Sequence, residues 1–178
     1  MKRLIIFIFV SLILFSFIMG RISQATDLIL NNVPAQIYFG PRGGCVEAII
    51  NELGKAHTEI LVQAYSFTSA PIAKALLAAK KRGVDVQVIL DKSQRTQKYS
   101  SATFFKNVGI PVFIDSAHAI AHNKIIIIDK ATVITGSFNF TKAAEEKNAE
   151  NLLIISSKDM AILYLENWQK HKEHSKMY

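Results

Sequence analysis

The sequence predicts an α/β fold in which a mixed, mostly parallel β-sheet is sandwiched between helices. Three observations predict it. From residue 35 onward apolar segments of period two alternate with segments of period 3.6, Pro and Gly punctuate the junctions, and two β-branched runs near residue 130 are spaced as a hairpin. Successive β-α units give parallel neighbours, the hairpin adds antiparallel ones, and strands apolar on both sides need helices on both faces.

The elements follow in order. Residues 35 to 40 form an apolar segment, Val46, Ile49, Ile50 and Leu53 recur at helical spacing over 44 to 55, and 59 to 66 reads as a strand. Pro71 suits the first turn of the next helix, where its missing N–H costs nothing; Ile72, Leu76 and Leu77 supply the apolar face and Gly83 ends it. Val84, Val86, Val88 and Leu90 alternate as a strand, which completes a second β-α unit. Residues 99 to 108 read as a helix ended by Gly109, and Ile110 to Ile114 as a strand. Ile125 to Ile128 is a strand buried on both sides, and residues 151 to 156 are the last strand expected. A final helix over 158 to 174 places Met160, Leu163, Tyr164 and Trp168 on one core-facing side, with a charged, solvated end from Lys170 onward.

Residues 1 to 25 read as a secretory signal peptide: Lys2-Arg3, an apolar run from Leu4 to Met19, and a small-residue site at Ser23-Gln24-Ala25. The alternative is an uncleaved anchor, although the run falls short of the ~20 residues a spanning helix normally needs. Both readings place the body outside the cytosol, and cleavage predicts an exported, periplasmic or secreted bacterial protein with no stable membrane association. Residues 26 to 178 then make a single domain with one core. The chain holds 21 basic and 14 acidic side chains; without Lys2, Arg3 and Arg21 the balance is 18 to 14, a mild +4 that suits an anionic substrate without defining one. Cys45 is the only cysteine, so no internal disulfide is available and the thiol reads as a small core residue.

The chemistry is concentrated in residues 122 to 139, HNKIIIIDKATVITGSFN. His122 and Lys124 are two apart and share a face of a strand. Asp129 ends the apolar run, and a hairpin returns Gly136, Ser137 and Asn139 toward His122. One imidazole, one ammonium and one amide then converge, a set that can attack and clamp a phosphate: neutral imidazole is a nucleophile, and Lys and Asn stabilise charge on phosphoryl oxygens. No metal-ligand set is required. The sequence offers no Asp/Glu/His cluster of metal-site spacing, and no metal or other cofactor is expected. His57, His171 and His174 read as surface residues, and His118, which has Ile120 rather than Lys two residues on, as a loop histidine with a small chance of direct chemistry.

The spacing of His122, Lys124, Asp129, Gly136, Ser137 and Asn139 resembles the signature of the phospholipase D superfamily. The chain resembles most the small bacterial endonucleases of the Nuc type, which carry one copy of the motif. The resemblance implies an α/β sandwich with catalytic His122, Lys124 and Asn139. It also implies an acidic partner for the histidine, for which Glu150 is preferred over Glu145 and Glu146. Lys124, Ser137 and Asn139 are expected to bind the substrate phosphate, whereas Asp129 and Gly136 are structural within the motif. Lys92, Arg95 and Lys98 in the loop 91 to 98 are a candidate rim of the site, or else a solvated turn.

A phosphodiester cleaved through a covalent intermediate needs a nucleophile and, on the opposite side, an acid for the leaving oxygen. One His122 cannot be both. A twofold homodimer that brings both copies of His122 to its axis resolves this, and superfamily members with a single motif are similar in this respect. The expected function is therefore a metal-independent phosphodiesterase acting as an endonuclease on DNA, with RNA as the second candidate substrate, through a phosphohistidine. A phospholipase D-type hydrolase of phosphatidyl esters such as cardiolipin is the alternative, in which Phe104-Phe105 could face lipid. A non-catalytic binding protein is a third reading, against which the intact His122, Lys124 and Asn139 stand. The sequence shows no helix-turn-helix, zinc-finger spacing or RNA-binding aromatic signature, so base reading is not expected.

Overall fold

A computed structural model of the chain describes residues 25–98 and 100–178. The segment expected to be a signal peptide lies, but for Ala25, outside the described residues. Eight strands, β1 (Ala35–Phe39), β2 (Glu59–Ala64), β3 (Asp85–Asp91), β4 (Val112–Asp115), β5 (Lys124–Ile128), β6 (Thr132–Gly136), β7 (Asn151–Ser156) and β8 (Lys176–Met177), form one sheet in the order β1-β7-β6-β5-β2-β3-β4-β8. Five helices accompany them: α1 (Cys45–Lys55), α2 (Ala70–Lys81), α3 (Ala102–Asn107), α4 (Lys142–Glu146) and α5 (Lys158–His174), with a 3₁₀ turn at Lys92–Arg95.

The sheet is mixed rather than mostly parallel. Among the described residues only β2–β3 and β3–β4 are strands paired in parallel, and the other five strand pairings are antiparallel. The expectation counted β-α units correctly but could not see that β5 enters beside β2 in the opposite direction, because orientation leaves no mark on a strand apolar on both sides. Two further departures are α4, a five-residue helix whose N-terminus is capped by the Thr141 hydroxyl, and β8, which pairs with β4 where a solvated tail was expected.

Side-chain alternation divides the core in two. Ile60, Val62, Ile126 and Ile128 point to one face, where Ile49 and Leu53 of α1, Ile72 and Leu76 of α2 and Phe105 of α3 cover them. Leu61, Ile89, Ile125, Ile127 and Val133 point to the other, where Ala161, Trp168, Met160, Tyr164 and Leu165 of α5 pack. Trp168 is fixed there by donating its indole N–H to the Val62 carbonyl at 3.0 Å. Full burial of each of these aliphatic side chains contributes about 1.5–3 kcal/mol, which is why β5, buried along its length, can carry a charged residue at its mouth. Cys45 is buried at the start of α1, and burial together with the nearby Glu145 charge pushes its thiol up to about 11, so it is a packing residue as expected.

Alternation also leaves one face incomplete. Ile37 lies opposite Leu153 and Phe39 opposite Asn151, on the α5 side of the sheet but at its outer edge, and the two side chains are 58% and 68% exposed. Among the described residues, no helix is long and apolar enough to cross a membrane.

Candidate active site

The β5–β6 hairpin assembles the site. Its turn is closed by the Ala131 N–H on the Ile128 carbonyl at 3.0 Å, and both central residues, Asp129 and Lys130, have positive φ, as a type I′ turn requires. The pairing Ile126↔Ile134 leads away from the turn to the open end of the hairpin, where β5 begins at Lys124 and β6 ends at Gly136, so the chain returns to the mouth of β5. Asp129 sits at the far end: its carboxylate accepts from the backbone N–H groups of His57, Thr58 and Glu59 at 2.9, 2.8 and 3.0 Å and from the Thr58 hydroxyl at 2.8 Å. Seven residues of extended chain separate it from His122, about 23 Å at strand rise. The motif aspartate is therefore a clamp between the hairpin turn and the start of β2. Burial opposes its ionisation, but these donors outweigh it and hold the carboxyl below its ordinary value.

His122 is exposed at the mouth of β5, and Lys124, the first residue of that strand, is 7% exposed. The Lys124 Nζ lies 3.0 Å from Nδ1 of His122 and donates to the His122 carbonyl at 2.9 Å. An ammonium has no lone pair, so while Lys124 is charged Nδ1 accepts and the ring proton is on Nε2. Tyr65, the residue after β2, packs against the imidazole with ring centroids 4.6 Å apart and the planes inclined by 53°, and the Lys124 Nζ lies 5.4 Å from the Tyr65 ring centroid. The Tyr65 N–H is tied to the Asn123 carbonyl at 2.8 Å. Burial lowers the pKa of Lys124, and the Glu150 carboxylate pulls it back up, so Glu150 lies within electrostatic reach of the ammonium.

Ser137 and Glu150 form the adjoining wall. The Ser137 hydroxyl donates to Glu150 Oε2 at 2.6 Å and accepts from the backbone and side-chain N–H groups of Asn151 at 3.0 and 3.3 Å, while the Asn148 amide donates to Glu150 Oε1 at 3.2 Å. In this arrangement Glu150 holds Ser137 and Asn148. Gly136 is needed for the approach: with φ at 144°, a Cβ would stand 2.3 Å from the Asn151 carbonyl oxygen. Asn139 precedes Phe140, which bridges to Phe67, and its side-chain oxygen is buried without a hydrogen-bond partner. Amide O and N are assigned from their surroundings, so Asn139 can present either atom to a ligand.

The competing acids are separated by the fold. Glu145 accepts from the Gly44 and Val46 N–H groups at 3.2 and 2.9 Å and so caps α1, and Glu146 pairs with Lys142 at 3.5 Å on the surface. Lys92, Arg95 and Lys98 are exposed at the carboxyl end of β3, the end of the sheet that also holds Tyr65 and His122; Lys92 donates to the His118 carbonyl at 3.0 Å. Phe105 is fully buried in the core with Phe104 packed against it, which leaves no lipid-facing pair there. Sequence reasoning missed Tyr65 and Asn148. Tyr65 alone had a signal, its place just past a parallel strand, where functional groups of open α/β sheets collect.

His118 and His174 are exposed, as expected, and His171 is partly buried, but the three meet at one point that the sequence did not signal. His118, His171 and His174 surround the fully buried Asp115, with nitrogen atoms 3.0, 2.7 and 3.3 Å from its Oδ2. Of the other histidines, His57 is exposed as expected. A concavity of about 410 Å³ lined by Pro34, Gln36, Glu52, Asp129 and Thr132 lies at the turn end of the sheet, away from His122.

Residues 49–172 match the family model described as cardiolipin synthase, PLD-like domain. A protein called phospholipase D from Rickettsia conorii is 48% identical over 134 residues, which span 75% of this chain and 67% of the relative. A mitochondrial cardiolipin hydrolase from Mus musculus is 30% identical over 122 residues, 68% of this chain and 55% of that protein. Among solved structures, the phospholipase D family member Nuc from Salmonella typhimurium is 43% identical and superposes with a TM-score of 0.79, covering 83% of this chain and 99% of that one. NucT from Helicobacter pylori, at 24% identity, shares the fold with a TM-score of 0.76 over 83% of this chain and all of its own.

Proposed function

The chain belongs to the phospholipase D superfamily and is a hydrolase of that family, and from this premise we propose that it is a metal-independent endonuclease whose active site is shared by two subunits. One observation carries the reading: a buried lysine in direct contact with an exposed imidazole, at the end of the sheet that also carries the exposed Lys92 and Arg95. Backbone phosphates, rather than bases, are then the recognised feature, and binding weakens with salt.

His122 Nε2 of one subunit attacks phosphorus, the P–O bond to the leaving oxygen breaks, and the partner subunit's His122 delivers its Nε2 proton to that oxygen. Water then attacks the phosphohistidine, the P–N bond breaks, and the partner subunit's His122 takes the water proton. The contact from Lys124 to Nδ1 describes a neutral imidazole with its proton on Nε2, whereas the acid form is the imidazolium, protonated on both nitrogens. The nucleophilic form needs Nδ1–H and an acceptor for it, a role proposed for Glu150, whose charge reaches Lys124, once it exchanges Ser137 for the imidazole. Lys124 and Asn139 of both subunits face the non-bridging oxygens, with Ser137 fixing the wall beside them. The uncovered stripe of Ile37 and Phe39 runs toward the His122 end of the sheet and supports a second copy as the partner.

The second reading is a phosphatidyl-ester hydrolase, favoured by the names of the Rickettsia and mitochondrial relatives. Purified protein incubated in excess chelator with supercoiled plasmid, and separately with phosphatidylglycerol and cardiolipin vesicles, decides between them, with His122→Ala as control. Plasmid cleavage absent from the variant is the expected result. Lipid hydrolysis without plasmid cleavage would replace the reading by the second.

A further inference from the structure

We propose that Asp115, His118, His171 and His174 form a structural site for a divalent transition cation of the zinc class. Their ligand atoms all lie within 4.8 Å of one another, and the imidazoles face each other with ring centroids 4.8, 5.1 and 5.3 Å apart. Three nitrogens converge on a single oxygen, Asp115 Oδ2, at 2.7, 3.0 and 3.3 Å. Zinc–nitrogen bonds of about 2.0–2.1 Å arranged tetrahedrally put neighbouring ligand atoms about 3.3 Å apart, so small rotations of the exposed His118 and His174 suffice to close a sphere around an ion. Three neutral imidazoles and one carboxylate are a donor set of borderline softness, which selects zinc and its neighbours over magnesium or calcium. A second observation points the same way. Asp115 is wholly buried, and its carboxylate oxygens are met by the rings of His118, His171 and His174 and by the Ala117 N–H. A buried anion ringed by histidines is prepared for a cation.

The placement gives the ion a mechanical task. His171 and His174 end α5, and the chain then pairs as β8 with β4, from whose end Asp115 projects. His118 lies in the loop 116–123 that carries His122 four residues further on, and that loop is also held by the Ala121 N–H on Asp91 at 2.8 Å. An ion would therefore staple the end of the chain to the base of the loop that presents His122. Four protein ligands fill a tetrahedral sphere and leave no open position, so the site stabilises and performs no chemistry.

The test needs no substrate. The full chain is stripped with chelator, dialysed, and titrated with zinc, and bound metal is counted after gel filtration. One equivalent per chain and a rise in Tm of about 5 °C or more are expected at saturating zinc. Cobalt in its place should give the intense visible absorption of a tetrahedral ion. His118→Gln with His174→Gln, both exposed and neither in the catalytic set, should weaken binding at least 100-fold and abolish the Tm rise. Sub-stoichiometric binding by the wild type, or equal binding by the double variant, overturns the site.

Discussion

Lys124 holds its Nζ 3.0 Å from Nδ1 of His122 and 2.9 Å from the carbonyl of the same residue, so a buried cation both orients the imidazole and sets its tautomer. The spacing that made the two residues readable in the sequence, two apart at a strand end, is what permits the contact. A Lys→Arg exchange would not reproduce it, because a planar guanidinium cannot act as a point donor from the same buried position.

Lys124→Met should lower the cleavage rate by about 10²–10³-fold, as loss of one preorganised charge donor does, while leaving Tm unchanged or higher because a buried charge is removed. His122→Ala should abolish cleavage with no loss of Tm, since the side chain is exposed. Parallel rate and melting measurements check both, and a Tm loss that accounts for the lost activity would contradict the assignment.

Asp129→Asn should act on stability and not on rate. Its carboxylate carries four hydrogen bonds to residues 57–59, and weakening such a set costs about 1–3 kcal/mol. The sign with pH follows from the direction of the shift. A carboxyl held below its unfolded value contributes stability that is fully present above about pH 4 and is lost as pH falls through the folded value. The gap in Tm between wild type and variant should therefore be widest near neutrality and close in acid; a gap that widened in acid would refute the clamp.

Glu145→Gln and Glu150→Gln should separate cleanly. Glu145 caps α1, so its loss lowers stability by about 1 kcal/mol and leaves the rate per folded molecule alone. Glu150 holds Ser137 and supports the Lys124 charge, so its loss should lower the rate and shift the pH profile. Rates at several pH values and chemical denaturation of each variant decide it.

Gly136→Ala should be destabilising, because a Cβ there meets the Asn151 carbonyl oxygen at 2.3 Å on a backbone with φ of 144°. The clash pushes β6 from β7 and moves Ser137 and Asn139, so both Tm and activity should fall. Retention of both would mean that the hairpin does not set the site's spacing.

The sequence revealed local order and concealed long-range pairing. The bounds of α1, α2 and α5 were readable to within a residue or two because helical periodicity, Pro71 and Gly83 are local signals. The antiparallel entry of β5 beside β2 was not, since four isoleucines in a row fit either direction. Likewise His122, Lys124, Ser137 and Asn139 were readable because one hairpin carries them. Tyr65 arrives from 57 residues earlier, and the histidines of α5 meet Asp115 across separations of 56 and 59 residues, with no spacing to announce either. Glu145 and Glu150 could be told apart only once α1 was seen to begin on Glu145.

The measurement closest to the central claim uses heterodimers of wild-type and His122→Ala subunits, isolated by different affinity tags and assayed on plasmid in excess chelator. If one active site is built from both copies of His122, these heterodimers are essentially inactive while wild-type dimers treated identically retain full activity. Heterodimers that keep half of the wild-type activity would mean that each subunit works alone, and the shared site would have to be abandoned.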